Sequence, residues 1–102
     1  MKTRREMLEE FLAEDPNDSF SRYALALEME KAGEEPAAIA GLEKVIALDP
    51  KYVAAYYHLG RLLVKNGRAE QARSVYTQGL TVSAEAGDQR THSEIQDAID
   101  SL

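Results

Sequence analysis

The sequence predicts an all-α chain arranged as an array of antiparallel helix pairs, and three observations carry that expectation. First, the chain repeats itself every 34 residues: Asp15-Pro16 returns as Asp49-Pro50, Leu25 as Leu59, Gly33 as Gly67, Ala38 as Ala72 and Ile46 as Leu80. A fixed period of this length belongs to stacked helical-repeat architectures. Second, apolar residues recur at helical spacing between short turn signals, and no segment alternates at period two over a useful length, so no strand is expected. Third, Ala, Leu and Glu dominate the composition, and all three favour helix.

The first helix is expected over residues 3–14. Thr3-Arg4-Arg5-Glu6 has the spacing of a capping box, and Met7, Leu8, Phe11 and Leu12 fall on a single helical face. Pro16 ends it, because the residue before a proline avoids helical dihedrals. Asp18 or Ser19 caps a second helix over residues 19–32. Phe20, Tyr23, Leu27 and Glu30 form one stripe and Leu25 and Met29 another, so this helix needs neighbours on two sides. Gly33 stands where a left-handed C-cap would close it.

Pro36 opens a third helix, where its missing N–H costs nothing, and Ile39, Leu42, Val45 and Ile46 make a core face up to Leu48. Gly41 inside it costs about 1 kcal/mol relative to Ala in an exposed site, which implies close packing against a neighbour. After Asp49-Pro50 a fourth helix runs from Tyr52 to Lys65 with Tyr56, Leu59, Gly60, Leu62 and Leu63, and Asn66-Gly67 is a turn signal. The fifth, from Ala69 to Glu85, carries Ala72, Val75, Tyr76, Gly79, Leu80 and Val82. Gly87-Asp88 ends it and caps the last, over residues 89–102. There Ile95, Ala98, Ile99 and Leu102 make one narrow apolar stripe, and Arg90, Glu94, Asp97 and Ser101 make a wet face.

One hundred and two residues fit a single domain. The net charge of −6 comes entirely from residues 1–50, since residues 51–102 balance. An acidic chain without a basic stripe is a poor candidate for nucleic acid or for an anionic membrane surface. No apolar run approaches membrane-spanning length, and the charged segment after Met1-Lys2-Thr3-Arg4-Arg5 lacks the apolar core of a secretory signal. The absence of cysteine rules out disulfides, thiolate nucleophiles and Cys-ligated zinc. A cytoplasmic protein is the expectation.

In pattern the chain resembles the tetratricopeptide repeat family, as a small bacterial-type member. The unit 51–84 carries the resemblance best. Tyr56 stands at the family's Trp position, Leu59-Gly60 at its Leu-Gly pair and Leu63 at its first-helix Tyr; Ala72, Tyr76, Gly79 and Leu80 take the Ala, aromatic, small and Leu positions of the second helix. The unit 17–50 matches more loosely: Leu25-Ala26 replaces Leu-Gly, Arg22 stands where Trp is preferred, and Val45 is larger than the usual Ala. Residues 3–16 align with the second helix of a preceding unit, and residues 88–102, with Ser93-Glu94 in place of Leu-Gly, look like a solvating cap. The resemblance implies a right-handed α-α superhelix of two full units, an N-terminal half-unit and a C-terminal capping helix.

It also implies where a partner would sit. In such arrays the first helix of each unit lines a concave face, which gives Phe20, Tyr23, Leu27, Glu30 and Lys31 from the first unit and Ala54, Tyr57, His58, Arg61, Val64 and Lys65 from the second. Two Tyr one repeat apart, with Arg61 and Lys65 on the following turns, suit a peptide with apolar anchors and some acidic character. The carboxylate clamp of some family members is not expected, because His58 and Ala24 stand at its Asn positions. The bland alternative is that Phe20, Tyr23 and Leu27 pack under neighbouring helices.

No catalytic, cofactor-binding or metal-binding residue is expected. His58 and His92 sit one repeat apart, but no acidic residue follows His58 at i+3 or i+4 to complete a metal site, and both read as surface or groove histidines. Glu9-Glu10, Glu34-Glu35 and Asp97/Asp100 lie on expected wet faces or at turns. Phosphate loops, nucleophile elbows and zinc-helix motifs are missing. The function expected is therefore non-catalytic binding of a protein or peptide partner, by a monomer or weak homo-oligomer. The alternative is a structural, self-associating array, which large apolar residues on the outer face of the first or last helix would favour.

Overall fold

A computed structural model describes residues 1–102. It contains six α-helices and no strand: α1 (Arg4–Glu14), α2 (Ser19–Lys31), α3 (Glu35–Leu48), α4 (Val53–Lys65), α5 (Ala69–Ala86) and α6 (Gln89–Asp100). Each lies within two residues of its expected span. The chain divides into two compact units, Met1–Asp49 and Pro50–Leu102.

The helix ends follow the local chemistry read from the sequence. Thr3 and Glu6 form a reciprocal capping box on α1, and Asp18 caps α2 by accepting from the Ser21 amide at 3.1 Å. Gly33 and Gly67 close α2 and α4 at φ of +80° and +75°, a region that costs glycine little. Beyond each glycine the chain turns back identically: the Glu34 amide donates to the Met29 carbonyl at 2.9 Å and the Arg68 amide to Leu63 at 2.8 Å. These are the long bonds of a Schellman closure.

Within the first unit α2 packs against both α1 and α3, as its two apolar faces require. Leu8, Ala24 and Leu25 are buried together, with Leu12 and Met29 packed on them, while Ile39, Leu42 and Val45 form the core face of α3. A Cβ on Gly41 would lie 3.2 Å from the Ala26 Cβ, so the α2–α3 approach is close at that point. Arg5 bonds both oxygens of Glu34, the Nη2 arm at 2.9 Å; this fork ties α1 to the turn before α3 and holds the Glu34 carboxyl below the usual carboxylate range.

One face differs from expectation. Of the four large apolar residues of α1, Leu8 is buried and Leu12 partly so, whereas Met7 and Phe11 remain 43% and 52% exposed. Within its unit α1 packs mainly on α2, and a helix with a single main neighbour buries a narrow stripe rather than a broad face.

The second unit has a tighter device. A Cβ on Gly60 of α4 would clash with the edge of the Tyr76 ring of α5, and one on Gly79 of α5 would lie 2.8 Å from the Cβ of Tyr56 on α4. Each helix thus supplies a glycine that receives the other's tyrosine, and both rings are almost wholly buried. The Tyr56 hydroxyl, excluded from water, donates to the Pro50 carbonyl at 2.7 Å, as a buried phenol requires. Ile95, the single fully buried residue of α6, also approaches Gly79, its Cδ1 lying 2.9 Å from where a Cβ would stand.

His92 is a fastener of α6 rather than a surface or groove histidine. Its Nδ1 lies 3.1 Å from the buried Ser83 hydroxyl and 3.1 Å from the Leu80 carbonyl, both on α5. The Asp88 carboxylate caps α6 and is held below its ordinary value, first by the Thr91 amide and then by the Thr91 hydroxyl. Such depressed carboxyls add stability above the carboxylate range, and that stability is lost as pH falls through their folded values.

Candidate functional site

In the first unit, Phe20 stands in the opening turn of α2 and is 60% exposed, and Tyr23, Leu27 and Glu30 follow on the same helix, partly buried. The buried residues of that helix are Ser21, Ala24, Leu25 and Ala26, and Phe20 at its exposure is not among them. Phe20 therefore does not pack under a neighbour.

In the second unit the residues come together. Tyr57, Arg61, Val64 and Lys65 recur at i, i+4, i+7 and i+8 along α4, which sets them on one face. They line an open cavity of about 360 Å³ together with Tyr76, Ala98, Ser101 and Leu102. His58 borders this group: its ring meets the Tyr57 ring edge-on at 5.4 Å between centroids, and its Nδ1 lies 3.3 Å from Arg61 Nη2. A guanidinium can only donate, so His58 Nδ1 is the acceptor in this contact.

The cavity is chemically mixed. Val64 and Leu102 leave apolar surface exposed, Arg61 and Lys65 bring positive charge to the rim, and the tyrosines offer ring area with few rotatable bonds. Burial pushes the Tyr76 phenol above its ordinary value, Tyr57 adding to the shift and Arg61 opposing it. No cluster of three or more His, Cys, Asp or Glu assembles anywhere in the chain, and no helix is long and apolar enough to cross a membrane.

Four lining residues were not among the expected site residues. Tyr76, expected at the family's aromatic position, packs against Gly60 and also lines the cavity. Ala98, Ser101 and Leu102 belong to the C-terminal segment expected only to solvate the end of the array. The signal was present: Ala98 and Leu102 follow Ile95 at i+3 and i+7, so the stripe that docks α6 also carries them toward α4.

A family model described as tetratricopeptide repeat matches residues 29–85. No curated protein matches the chain. Among solved structures, the tetratricopeptide repeat domain protein of Salinibacter ruber is 44% identical, with 80% of this chain and 91% of that chain covered and a TM-score of 0.77. A Bordetella parapertussis protein is 28% identical over 98% of this chain and 87% of its own, with a TM-score of 0.82. The TPR2B domain of yeast Sti1, solved in complex with pHsp70, is 20% identical over 92% and 81%, with a TM-score of 0.78, a likeness of fold alone. The match over residues 29–85 and the Salinibacter similarity place the chain in one family: it belongs to the tetratricopeptide repeats.

Proposed function

We propose that this chain is a non-catalytic, cytoplasmic interaction module that seats a protein or peptide segment pairing an apolar anchor with acidic groups. The observation that carries this reading is the cavity beside α4, where Tyr57, Arg61, Val64 and Lys65 converge with Tyr76 and Leu102. Tyr and Arg are the side chains that most often dominate binding energy at protein interfaces, and the apolar and cationic lining calls for a ligand of the opposite charge with an apolar face. His58 acts by orienting Arg61. On α2, Phe20, Tyr23, Leu27 and Glu30 are the partner-contacting residues of the first unit. The yeast domain solved with pHsp70 supports the premise that this fold can hold another protein.

The test is affinity capture from the native host, with Tyr57→Ala/Arg61→Ala as the control bait. Both side chains are only partly buried, so helical circular dichroism should be unchanged while the captured partner is lost, by at least tenfold. Equal capture by both baits would remove the α4 face from the mechanism.

A further inference from the structure

The first unit holds a second cavity, independent of the α4 site. It lies between α2 and α3, measures about 220 Å³, and is walled by Leu25, Met29 and the small residues Ala37, Ala40 and Gly41, with Arg22 and Lys44 at its polar edge. Its origin is visible by comparison one repeat on. Tyr56 ties its helix to the preceding turn through the Pro50 carbonyl; Arg22, in the same place 34 residues earlier, does so through Pro16, its Nη2 donating at 2.8 Å. The guanidinium keeps the bond but not the bulk of a ring. On α3, Ala37, Ala40 and Gly41 stand where the second unit has the larger Gln71, Ser74 and Val75. The result is a hole.

The charges around that hole are unusual for their surroundings. In this acidic unit Lys2 pairs with Glu10, Arg4 and Lys31 with Glu28, and Arg5 with Glu34. Arg22 and Lys44, the two cations at the cavity, have no carboxylate partner, and Arg22 Nε is buried without an acceptor, a condition that folded proteins seldom leave uncorrected. At about 220 Å³ the cavity falls below the ~300–1,000 Å³ of small-molecule sites; it suits one large side chain accompanied by a carboxylate.

The same unit carries a surface of that description. Met7 and Phe11, one turn apart on α1, are the exposed large apolar residues of that helix, and Glu14, three residues beyond Phe11, has no ion pair. We propose that the protein self-associates, the Phe11 stripe of one copy entering the α2–α3 cavity of another with Glu14 set against Lys44 and Arg22. Each copy carries both the projection and the hole, so a two-fold arrangement satisfies both at once. A pair of such contacts is small against the ~1,200–2,000 Å² of stable interfaces, so the association is weak and concentration-dependent, and salt weakens it further.

Sedimentation across a concentration series tests this. The mass should rise above the 11.3 kDa of one chain, and Phe11→Ser should shift the midpoint concentration upward at least tenfold with unchanged helical circular dichroism. Lys44→Glu and Glu14→Lys should each do the same alone, while an equimolar mixture of the two variants restores association. A wild-type protein that stays monomeric throughout the series overturns the proposal. So does an association indifferent to Phe11→Ser, or one that the mixture of charge-reversed variants fails to restore.

Discussion

Gly60→Ala is expected to destabilise the protein by about 1–3 kcal/mol, the usual cost of forcing extra volume into a packed core. Helix propensity alone gives the opposite sign, a gain of about 1 kcal/mol for Ala over Gly. The geometry decides between them: the added methyl would collide with the Tyr76 ring, and that ring is buried, so moving it aside disturbs the α4–α5 packing. Urea unfolding measures the change. Gly41→Ala is the control, because its methyl meets only the Ala26 Cβ at 3.2 Å, so it should fall within about 1 kcal/mol of the parent. Combining Gly60→Ala with Tyr76→Leu should cost less than the sum of the two alone, as it does when one contact causes both losses. An unchanged or raised midpoint for Gly60→Ala would show that α4 and α5 are not interlocked through this pair.

Ile95→Ala is expected to cost about 2–5 kcal/mol, the range for emptying a large aliphatic side chain from a closed core. The loss falls on one element. Ile95 is the single buried residue of α6, and the polar ties to α5 come from the His92 contacts with Ser83 and Leu80. Limited proteolysis should therefore cut the variant first within residues 89–102 before the rest of the unit opens. Since Ala98, Ser101 and Leu102 line the α4 cavity, partner binding should weaken with it, although none of the α4 residues is altered. Cleavage at wild-type rates would mean that α6 is held by something other than Ile95.

These two substitutions also show what a repeat pattern can and cannot reveal. The period and the punctuation at Pro16, Gly33, Pro50 and Gly67 were enough to place every helix, because capping and breaking are local events. The small and aromatic positions, Gly60 on one helix and Tyr76 on the next, were legible too; that the glycine seats the ring is a tertiary fact. The exposure of Met7 and Phe11 was not legible. A helical stripe says which residues share a face, but how much of that face is covered depends on how many neighbours the helix has.

The candidate site divides in the same manner. Tyr57, Arg61, Val64 and Lys65 share a face by spacing alone, so their convergence followed from α4 being a helix. The far wall, built by Ala98, Ser101 and Leu102, depends on where α6 docks, and that position is set by the Ile95 contact at Gly79, a tertiary fact. Arg22 marks a third kind of case. As a departure from the family pattern it was visible in the sequence, yet only its retained bond to Pro16, and the hollow left beside it, give the departure a physical meaning.

The most direct test of partner binding through α4 is site-specific photo-crosslinking in the native host. A photoreactive amino acid is placed at Tyr57, or, as a comparison, at the exposed Arg73 of α5, which lies outside the α4 cavity. The expected result is a discrete covalent adduct with another protein from position 57, absent from position 73 and diminished when Arg61→Ala is added. Adducts of equal yield from both positions, or none from position 57, would contradict it.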